Sequence, residues 1–325
     1  MNKTVLPLAF AMLTAASVSR AAVPAVAVDI APVHSLVAQV MGTLGEPKLV
    51  VSRGASPHGY SLRPSEAQAL QEADVVFWVS ATLTPWLAET IDTLSPDAKH
   101  VEMLEIPGNT ILSRRENALF EAHDHGDEHD DEDDAEHDDV EDDKHEADEH
   151  SDESHDERDP HAWLDPANAA IWLDTIAHEL SSVDPEHAAL YSANAEAGKA
   201  DIALASTEAE ALLAPARSRR FIVFHDAYQY FENAFDFPAS GAIALGDASK
   251  PGPARIQQIQ DRVKQAGVTC VLAEPQFNPG VVATVVEGTD ARSSVIDPLG
   301  TGLETGADLY PLMLRKLATA LADCV

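Results

Sequence analysis

The chain has 325 residues, of which 55 are acidic and 21 are basic, so its formal net charge at pH 7 is −34. A protein this acidic is not expected to bind nucleic acid or anionic lipid headgroups, and cations are its natural partners. Its length is sufficient for two domains, each with its own hydrophobic core.

Residues 1–22 have the pattern of a secretory signal peptide. Lys3 is followed by an apolar run over residues 5–16 and then by small residues. The run is too short to cross a bilayer as a permanent helix. We therefore predict an exported, soluble protein, with cleavage near Ala22 or Ala27.

Strand-like and helix-like segments alternate along the remaining chain. The predicted strands are residues 25–30, 48–51, 74–79, 100–103, 220–224, 238–243, 269–273 and 293–296. The predicted helices are residues 33–41, 66–71, 85–93, 168–180, 184–213, 227–233, 253–266, 278–287 and 309–323. This alternation predicts an α/β protein with two open, mostly parallel sheets, each flanked by helices.

One predicted helix is much longer than the others. Asp184 and Pro185 supply the chemistry of a helix start, and the chain is then rich in alanine and free of proline to Leu213. A helix of about 28 residues would be roughly 42 Å long, and large residues are missing from the heptad positions that a coiled coil needs. The predicted units are an N-terminal lobe over residues 23–183, a rigid linking helix over 184–214 and a C-terminal lobe over 215–325.

An acidic, histidine-rich tract over residues 117–159 interrupts the N-terminal lobe. Residues 121–159 contain 23 Asp and Glu, seven His, one Lys and one Arg, and such a segment cannot bury enough apolar surface to offset the entropy of ordering. We therefore predict a disordered loop. Acidic runs are usually solvating linkers, but imidazoles that alternate with carboxylates also favour loose binding of cations such as zinc, copper and nickel.

The chain contains two cysteines, Cys270 and Cys324. In an oxidising compartment we expect them to form a disulfide. The alternative, a cysteine ligand in a metal site, is disfavoured because the sequence has no CxxC spacing.

Residues with metal-binding side chains follow several predicted strands. In open α/β sheets, ligands bind beyond the carboxyl ends of the strands, which makes such positions candidates for a site. The candidates are His58, His225, Glu274 and Asp297 after predicted strands, and His161 in a loop flanked by Pro160 and Pro166.

Three of these candidates are histidines drawn from both halves of the chain, so they can meet only in a cleft between the lobes. His58, His161 and His225, together with an oxygen donor such as Asp297, would form the near-tetrahedral arrangement that zinc prefers. Each residue also has a structural alternative, because a loop histidine is commonly a solvated surface residue. Glu274 or Asp297 can likewise cap a helix beside a proline.

Five sequence phrases resemble the periplasmic metal-binding proteins of zinc ABC importers, the ZnuA type. They are PHGYSLRPS at 57–65, DPHAWLDP at 159–166, VFHDAY at 223–228, AEPQ at 273–276 and IDPLG at 296–300. The phrases occur in the family order across essentially the whole mature chain, including an acidic histidine-rich insertion before the second histidine.

The resemblance implies two α/β lobes joined by one long helix, with Zn²⁺ held in the cleft by His58, His161 and His225. Manganese-binding relatives carry a carboxylate at the position of His225, and a third imidazole favours zinc. Some zinc-binding members carry Glu directly before the first histidine, where this chain has Pro57. The fourth ligand therefore stays open among Asp297, a water molecule and a histidine of the tract.

The resemblance further implies a protein without catalytic activity. It would capture Zn²⁺ in the periplasm and deliver it to the membrane permease of an ABC transporter, as a monomer and with periplasmic zinc chaperones as further partners. The tract would be an auxiliary, low-affinity zinc collector or a sensor of zinc excess, and the disulfide of the family matches Cys270–Cys324.

Three other functions remain open at this point. The first is capture of manganese or another divalent metal, and the second is a metal buffer that has no transporter. The third is a secreted zinc hydrolase with Glu274 as general base, which is disfavoured because the sequence contains no HExxH motif.

Overall fold

The computed structural model describes residues 23–117, 157–246 and 251–325. The predicted signal peptide and residues 118–156 of the acidic tract lie outside these ranges. In the described part of the chain, no helix combines the length and the apolar character that crossing a membrane requires.

Four short parallel strands form the first sheet. They are β1 (Val26–Val28), β2 (Lys48–Leu49), β3 (Val75–Trp78) and β4 (Lys99–Glu102), in the spatial order β2-β1-β3-β4. The register places Val26 beside Val75, and Val75 beside Lys99. Every residue of β1 and β3 is buried. Strands that are covered on both faces need side chains that are apolar on both faces, which explains these uninterrupted apolar runs.

The second sheet repeats this arrangement. Its strands are β5 (Phe221–His225), β6 (Ala242–Ala244), β7 (Cys270–Ala273) and β8 (Arg292–Val295), in the spatial order β6-β5-β7-β8. His225 is the last residue of β5, and Glu274 directly follows β7, which pairs with β5 in parallel. The sheet therefore brings these two side chains to the same edge.

Nine α-helices cover the sheets in the described residues, and most of them begin at a proline. They are α1 (Ala31–Met41), α2 (Pro64–Gln71), α3 (Pro85–Leu94), α4 (Pro166–Val183), α5 (Ala188–Leu213), α6 (Gln229–Phe235), α7 (Pro253–Ala266), α8 (Pro279–Val286) and α9 (Leu309–Cys324). Proline suits the first turn of a helix because its fixed φ is already helical and its missing N–H has no partner there.

The longest helix, α5, contains 26 residues and follows a 3₁₀ turn at Pro185–His187. It packs against α1, α4 and α9, which come from both halves of the chain. A Cβ atom at Gly198 would lie 3.0 Å from Cδ1 of Leu173 and would overlap the Gln39 side chain, so glycine permits this close approach. The predicted fold class, two parallel-sheet lobes flanked by helices and joined by a long helix, is confirmed.

A disulfide joins Cys270 in β7 to Cys324 at the end of α9, with Cα atoms 5.5 Å apart. It connects the second sheet to a helix that also packs against α5. The expectation of a disulfide is therefore confirmed.

Several predicted boundaries differ from the structure, and two of them lie next to the predicted metal ligands. Residues 157–159, which their composition assigns to the tract, belong to the ordered lobe: Arg158 pairs with Ser113 in a β-bridge, and Asp159 is only 2% exposed. The helix predicted to begin at Ala227 begins two residues later, because the backbone of Ala227 turns to donate a hydrogen bond to the His225 carbonyl at 2.9 Å.

Candidate metal centre

Three imidazoles converge at the carboxyl ends of the strands, between the two lobes. One ring nitrogen of each of His58, His161 and His225 lies within 4.8 Å of the corresponding nitrogen of the other two. The ring centroid of His161 is 5.6 Å from that of His58 and 5.4 Å from that of His225. Two nitrogens bound to one tetrahedral zinc ion are about 3.3 Å apart, so a small inward movement of the rings would place all three on one ion.

The three rings line a small cavity of about 20 Å³. A space of this size accommodates about one water molecule. Its lining consists of Ser56, Pro57, His58, His161, Trp163, His225, Glu274, Gln276, Phe277, Pro298 and Leu299. The cavity therefore suits a single ion with at most one small additional ligand.

His161 is held from behind by a buried carboxylate. Nδ1 of His161 lies 2.7 Å from Oδ1 of Asp159, and the same oxygen accepts a hydrogen bond from the His161 backbone N–H at 3.0 Å. Burial raises the pKa of Asp159 to about 7, although the His161 N–H and the charges of Arg115 and Arg114 lower it. Because Asp159 occupies Nδ1, the nitrogen that His161 presents to a metal is Nε2.

The chain around His161 is fixed on both sides. The following residues form a 3₁₀ turn at Ala162–Leu164, and Asp165 then caps α4 by accepting a hydrogen bond from the Ala167 N–H at 2.8 Å. The buried Trp163 ring lies 5.3 Å from the His161 ring and donates its indole N–H to the Pro298 carbonyl at 2.8 Å. This contact connects the His161 loop to the C-terminal lobe.

His225 has the same kind of partner. Its Nδ1 lies 2.7 Å from Oε1 of Glu274, which is only 3% exposed, and its backbone N–H points to the same oxygen at 3.3 Å. Glu274 therefore orients a ring and leaves Nε2 of His225 as the nitrogen for a metal. Because Glu274 is engaged with His225, the structure gives no support to the alternative in which Glu274 is the general base of a zinc hydrolase.

His58 lies on the loop between β2 and α2 and is half-buried. The indole N–H of Trp86 donates to the Pro57 carbonyl at 2.7 Å, directly before the histidine. In the first turn of α2, Glu66 accepts hydrogen bonds from Tyr60 at 2.7 Å and from Ser52 at 2.9 Å. These contacts fix both ends of the loop that carries His58.

A guanidinium group balances buried acids next to the site. Arg115 donates to Asp226 at 2.8 Å and to Glu232 at 2.7 Å and 3.2 Å, and both carboxylates are nearly inaccessible. Burial raises the pKa of Asp226 to about 7, where Arg115 lowers it and the charges of Glu232 and Asp159 raise it further. One arginine thus partly neutralises the acids that adjoin His161 and His225.

Asp297 lies outside the group of three histidines. Its carboxylate accepts hydrogen bonds from the Leu299 N–H at 3.1 Å, and from Gln276, the Thr301 hydroxyl and the Gly302 N–H at 3.4 Å each. It therefore organises its own loop, and its role as a ligand stays a prediction.

Two contributors to the site, Asp159 and Arg115, are missed by sequence reasoning. Asp159 stands two residues before His161 in the DPH phrase, which is a usable signal, but it is also the last residue of a long acidic run. Arg115 precedes the same run and carries no recognisable motif.

Two lobes built on parallel sheets, with three imidazoles at the strand ends between them, define the class of two-lobed solute-binding proteins for metal ions. Residues 26–324 match the family described as "Zinc-uptake complex component A periplasmic", ZnuA. The chain belongs to this family, and the resemblance noted from its sequence phrases is confirmed.

Known relatives match almost the whole chain. A Brucella abortus (strain 2308) protein named high-affinity zinc uptake system protein ZnuA is 50% identical over 304 residues, which cover 92% of this chain and 91% of the relative. The protein of the same name from Paracoccus denitrificans (strain Pd 1222) is 47% identical over 321 residues, with coverages of 98% and 97%.

Solved structures share the fold. One described as the crystal structure of ZnuA superposes with a TM-score of 0.70 at 23% identity and covers 92% of this chain and 98% of that one. Another, a ZnuA deletion mutant with zinc bound, has a TM-score of 0.70 at 22% identity, with coverages of 92% and 96%.

Proposed function

We propose that this protein captures Zn²⁺ in the periplasm and delivers it to the membrane permease of an ABC importer, without performing any chemistry on it. The observation that carries the proposal is the convergence of three imidazole nitrogens within 4.8 Å of one another between the lobes. In this proposal residues 23–183 and 215–325 form the two lobes, residues 184–214 link them, and the chain acts as a monomer.

The proposed ligands are Nε2 of His161, Nε2 of His225 and one ring nitrogen of His58. Three imidazoles favour zinc over manganese, which prefers oxygen donors. The zinc-uptake names of the relatives support the same choice. The carboxylates behind His161 and His225 raise the basicity of these rings, which strengthens their binding to a cation.

The fourth coordination position remains open between Asp297 and a water molecule, with a histidine of the acidic tract as a third candidate. The contacts of Asp297 with its own loop favour the water molecule. A zinc site with three protein ligands and one water is a common arrangement.

For the acidic tract we propose an auxiliary role as a low-affinity zinc collector or sensor. Its composition supports this role, because seven histidines alternate with carboxylates between residues 121 and 159. Weak, exchanging ligands would raise the local zinc concentration next to the site, to which the ion then transfers. Periplasmic zinc chaperones would be further partners in this proposal.

Competitive zinc titration against a chromophoric chelator tests the site. We expect His58→Ala, His161→Ala and His225→Ala each to weaken zinc binding by at least about a hundredfold, because loss of a ligand costs more than loss of a group that orients one. The control is His178→Ala, which removes an exposed imidazole on α4. If all three variants bind zinc within threefold of the parent protein, the proposed site is wrong.

The same titration on a protein that lacks residues 118–156 separates the tract from the central site. We expect one tight zinc ion to remain and the weak ions to disappear. Equal stoichiometry and equal uptake at limiting zinc, with and without the tract, would remove its proposed role. Transport in cells that lack the cognate permease distinguishes delivery from simple buffering.

A further inference from the structure

Gln276 lines the same cavity as the three histidines, two residues after Glu274. Its Nε2 lies 3.4 Å from Oδ1 of Asp297 and 3.3 Å from Oγ1 of Thr301. A carboxylate can only accept hydrogen bonds, so the amide nitrogen, and not the amide oxygen, must face Asp297. This fixes the orientation of the amide and therefore the direction of Oε1.

Oε1 of Gln276 is buried and has no hydrogen-bond partner within the described residues. Leaving a buried acceptor unsatisfied costs about 1–3 kcal/mol. Such groups are uncommon in folded proteins and point to a water molecule or an ion as the missing partner. Because Gln276 lines the metal-binding cavity, a ligand inside that cavity can supply the partner that Oε1 lacks.

The geometry of the site defines what this ligand can be. The cavity has a volume of about 20 Å³, which limits its contents to one ion and at most one small additional ligand. Three imidazoles leave one position of a tetrahedral zinc ion, and water is the usual occupant of that position. A water molecule bound to zinc is a strong hydrogen-bond donor because the ion withdraws its electrons.

Among the described residues that line the cavity, one other side-chain oxygen is buried without a hydrogen bond, Oε2 of Glu274. The same carboxylate already holds His225 through Oε1. The buried Tyr228 hydroxyl also makes no hydrogen bond within the described residues. Burial, followed by the charges of Glu274 and Asp297, raises the pKa of Tyr228 well above its usual value, so the hydroxyl keeps its proton close to the Glu274 carboxylate.

We propose that Oε1 of Gln276 accepts a hydrogen bond from a water molecule bound as the fourth ligand of zinc. Gln276 would thus be a positioning residue that contributes to metal affinity, and Asp297 would act through it by holding the amide nitrogen. The inference rests on the zinc capture proposed above and deepens it by assigning the fourth position.

The test compares Gln276→Leu with Gln229→Leu in the full-length protein. Gln229 is a matched control because its Oε1 is also buried without a hydrogen bond and its Nε2 donates to the Ser113 carbonyl, but it does not line the cavity. We expect Gln276→Leu to weaken zinc binding about three- to tenfold, the effect of losing one hydrogen bond. Gln229→Leu should stay within twofold of the parent protein.

One further variant and a spectroscopic readout separate this role from a general packing effect. Gln276→Asn keeps the amide but withdraws its oxygen by one methylene, and it should resemble the leucine variant. Zinc K-edge absorption should give four light-atom ligands for both the parent protein and Gln276→Leu, because water remains bound after its acceptor is lost.

Unchanged zinc affinity in Gln276→Leu would overturn the inference while leaving zinc capture intact. A fall to three ligands in that variant would also overturn it, since Gln276 would then bind zinc directly. Failure of the parent protein to bind zinc, or binding that ignores the three histidines, would instead contradict the proposed function.

Discussion

Buried carboxylates determine the tautomer of two of the three clustered imidazoles. Asp159 and Glu274 each place an oxygen 2.7 Å from Nδ1 of a histidine, and both are almost fully buried. A carboxylate at Nδ1 stabilises the tautomer whose proton is on that nitrogen and leaves the lone pair of Nε2 for a metal. The protein therefore holds each ring in the tautomer that binds a metal, even in the absence of the metal.

Replacing these carboxylates with amides should weaken zinc binding without removing a ligand. Asp159→Asn and Glu274→Gln keep the shape of each group but remove its charge, and an amide can also donate to Nδ1 and so favour the wrong tautomer. We expect a 10- to 100-fold loss of affinity, measured by chelator competition, together with a change of tautomer visible in ¹⁵N NMR of the histidine rings.

Glu304→Gln is the control for these variants, because it removes one negative charge from an exposed residue. Its zinc affinity should match that of the parent protein within about twofold. Unaltered affinity and tautomers in both amide variants would show that the carboxylates are only structural.

The sequence predicts the histidines better than it predicts their partners. His58, His161 and His225 follow from strand ends and a rigid loop, since parallel sheets collect ligands at one edge. Asp159 is harder to predict, because composition cannot distinguish one buried acid from the 22 other acidic residues of the segment 121–159. The strand-end rule also selects Asp297, although that side chain can instead bind N–H groups of its own loop, as it does here.

The disulfide joins two elements that are distant in sequence, β7 and α9. Its cysteines are 54 residues apart, and Cys270 is completely buried within the second sheet. Because α9 also packs against α1 and α5, a fixed end of α9 stabilises the contact between the C-terminal lobe and the long helix.

Removing the disulfide should destabilise the protein without changing its metal site. We expect Cys270→Ala combined with Cys324→Ala to lower the free energy of unfolding by up to about 4 kcal/mol, which is what loop-closure entropy predicts for a separation of 54 residues. Urea unfolding measures the loss. Reductant should lower the stability of the parent protein and leave the double variant unaffected, and zinc affinity of the folded variant should be unchanged.

The sequence predicts which helices and strands are present, and in which order, more accurately than it predicts their boundaries. Prolines in the first turn mark the starts of α3 and α7 at the predicted residues, because proline fits there and is costly farther inside a helix. The strand predicted over 238–243 is shorter and later in the structure, at Ala242–Ala244. A run of small and apolar residues contains no signal for the position at which pairing with β5 begins.

The two lobes are connected by contacts between residues that are far apart in sequence. The Tyr310 hydroxyl donates to the Trp163 carbonyl at 2.7 Å, and Arg53 donates to the Thr301 carbonyl at 2.8 Å. Sequence patterns do not predict such contacts, because they depend on how the lobes are oriented. The metal centre depends on the same orientation, since its histidines come from both lobes.

Raising the pH should lower the Tm of the metal-free protein and should enlarge the increase in Tm that zinc binding produces. Burial raises the pKa values of Asp29, Asp159 and Asp226 to about 7, from 3.8. Between about pH 4 and 7 the folded protein therefore binds more protons at these groups than the unfolded chain does, and its stability falls as pH rises. Burial lowers the pKa of His34, and this shift makes stability rise with pH. The three carboxylates together have the larger effect on the pH dependence of stability.

We therefore expect the metal-free protein to have a higher Tm at pH 5.5 than at pH 8, an effect that the net charge of −34 reinforces through self-repulsion at high pH. Zinc binding requires neutral imidazoles, so the increase in Tm on adding zinc should be large at pH 8 and small at pH 5.5. Scanning calorimetry of metal-free and zinc-saturated protein measures both trends. Asp29→Asn should reduce the pH dependence of the free energy of unfolding of the metal-free protein by up to ~1.4 kcal/mol per pH unit. A metal-free Tm that rises from pH 5.5 to pH 8 would contradict the assignment of raised pKa values.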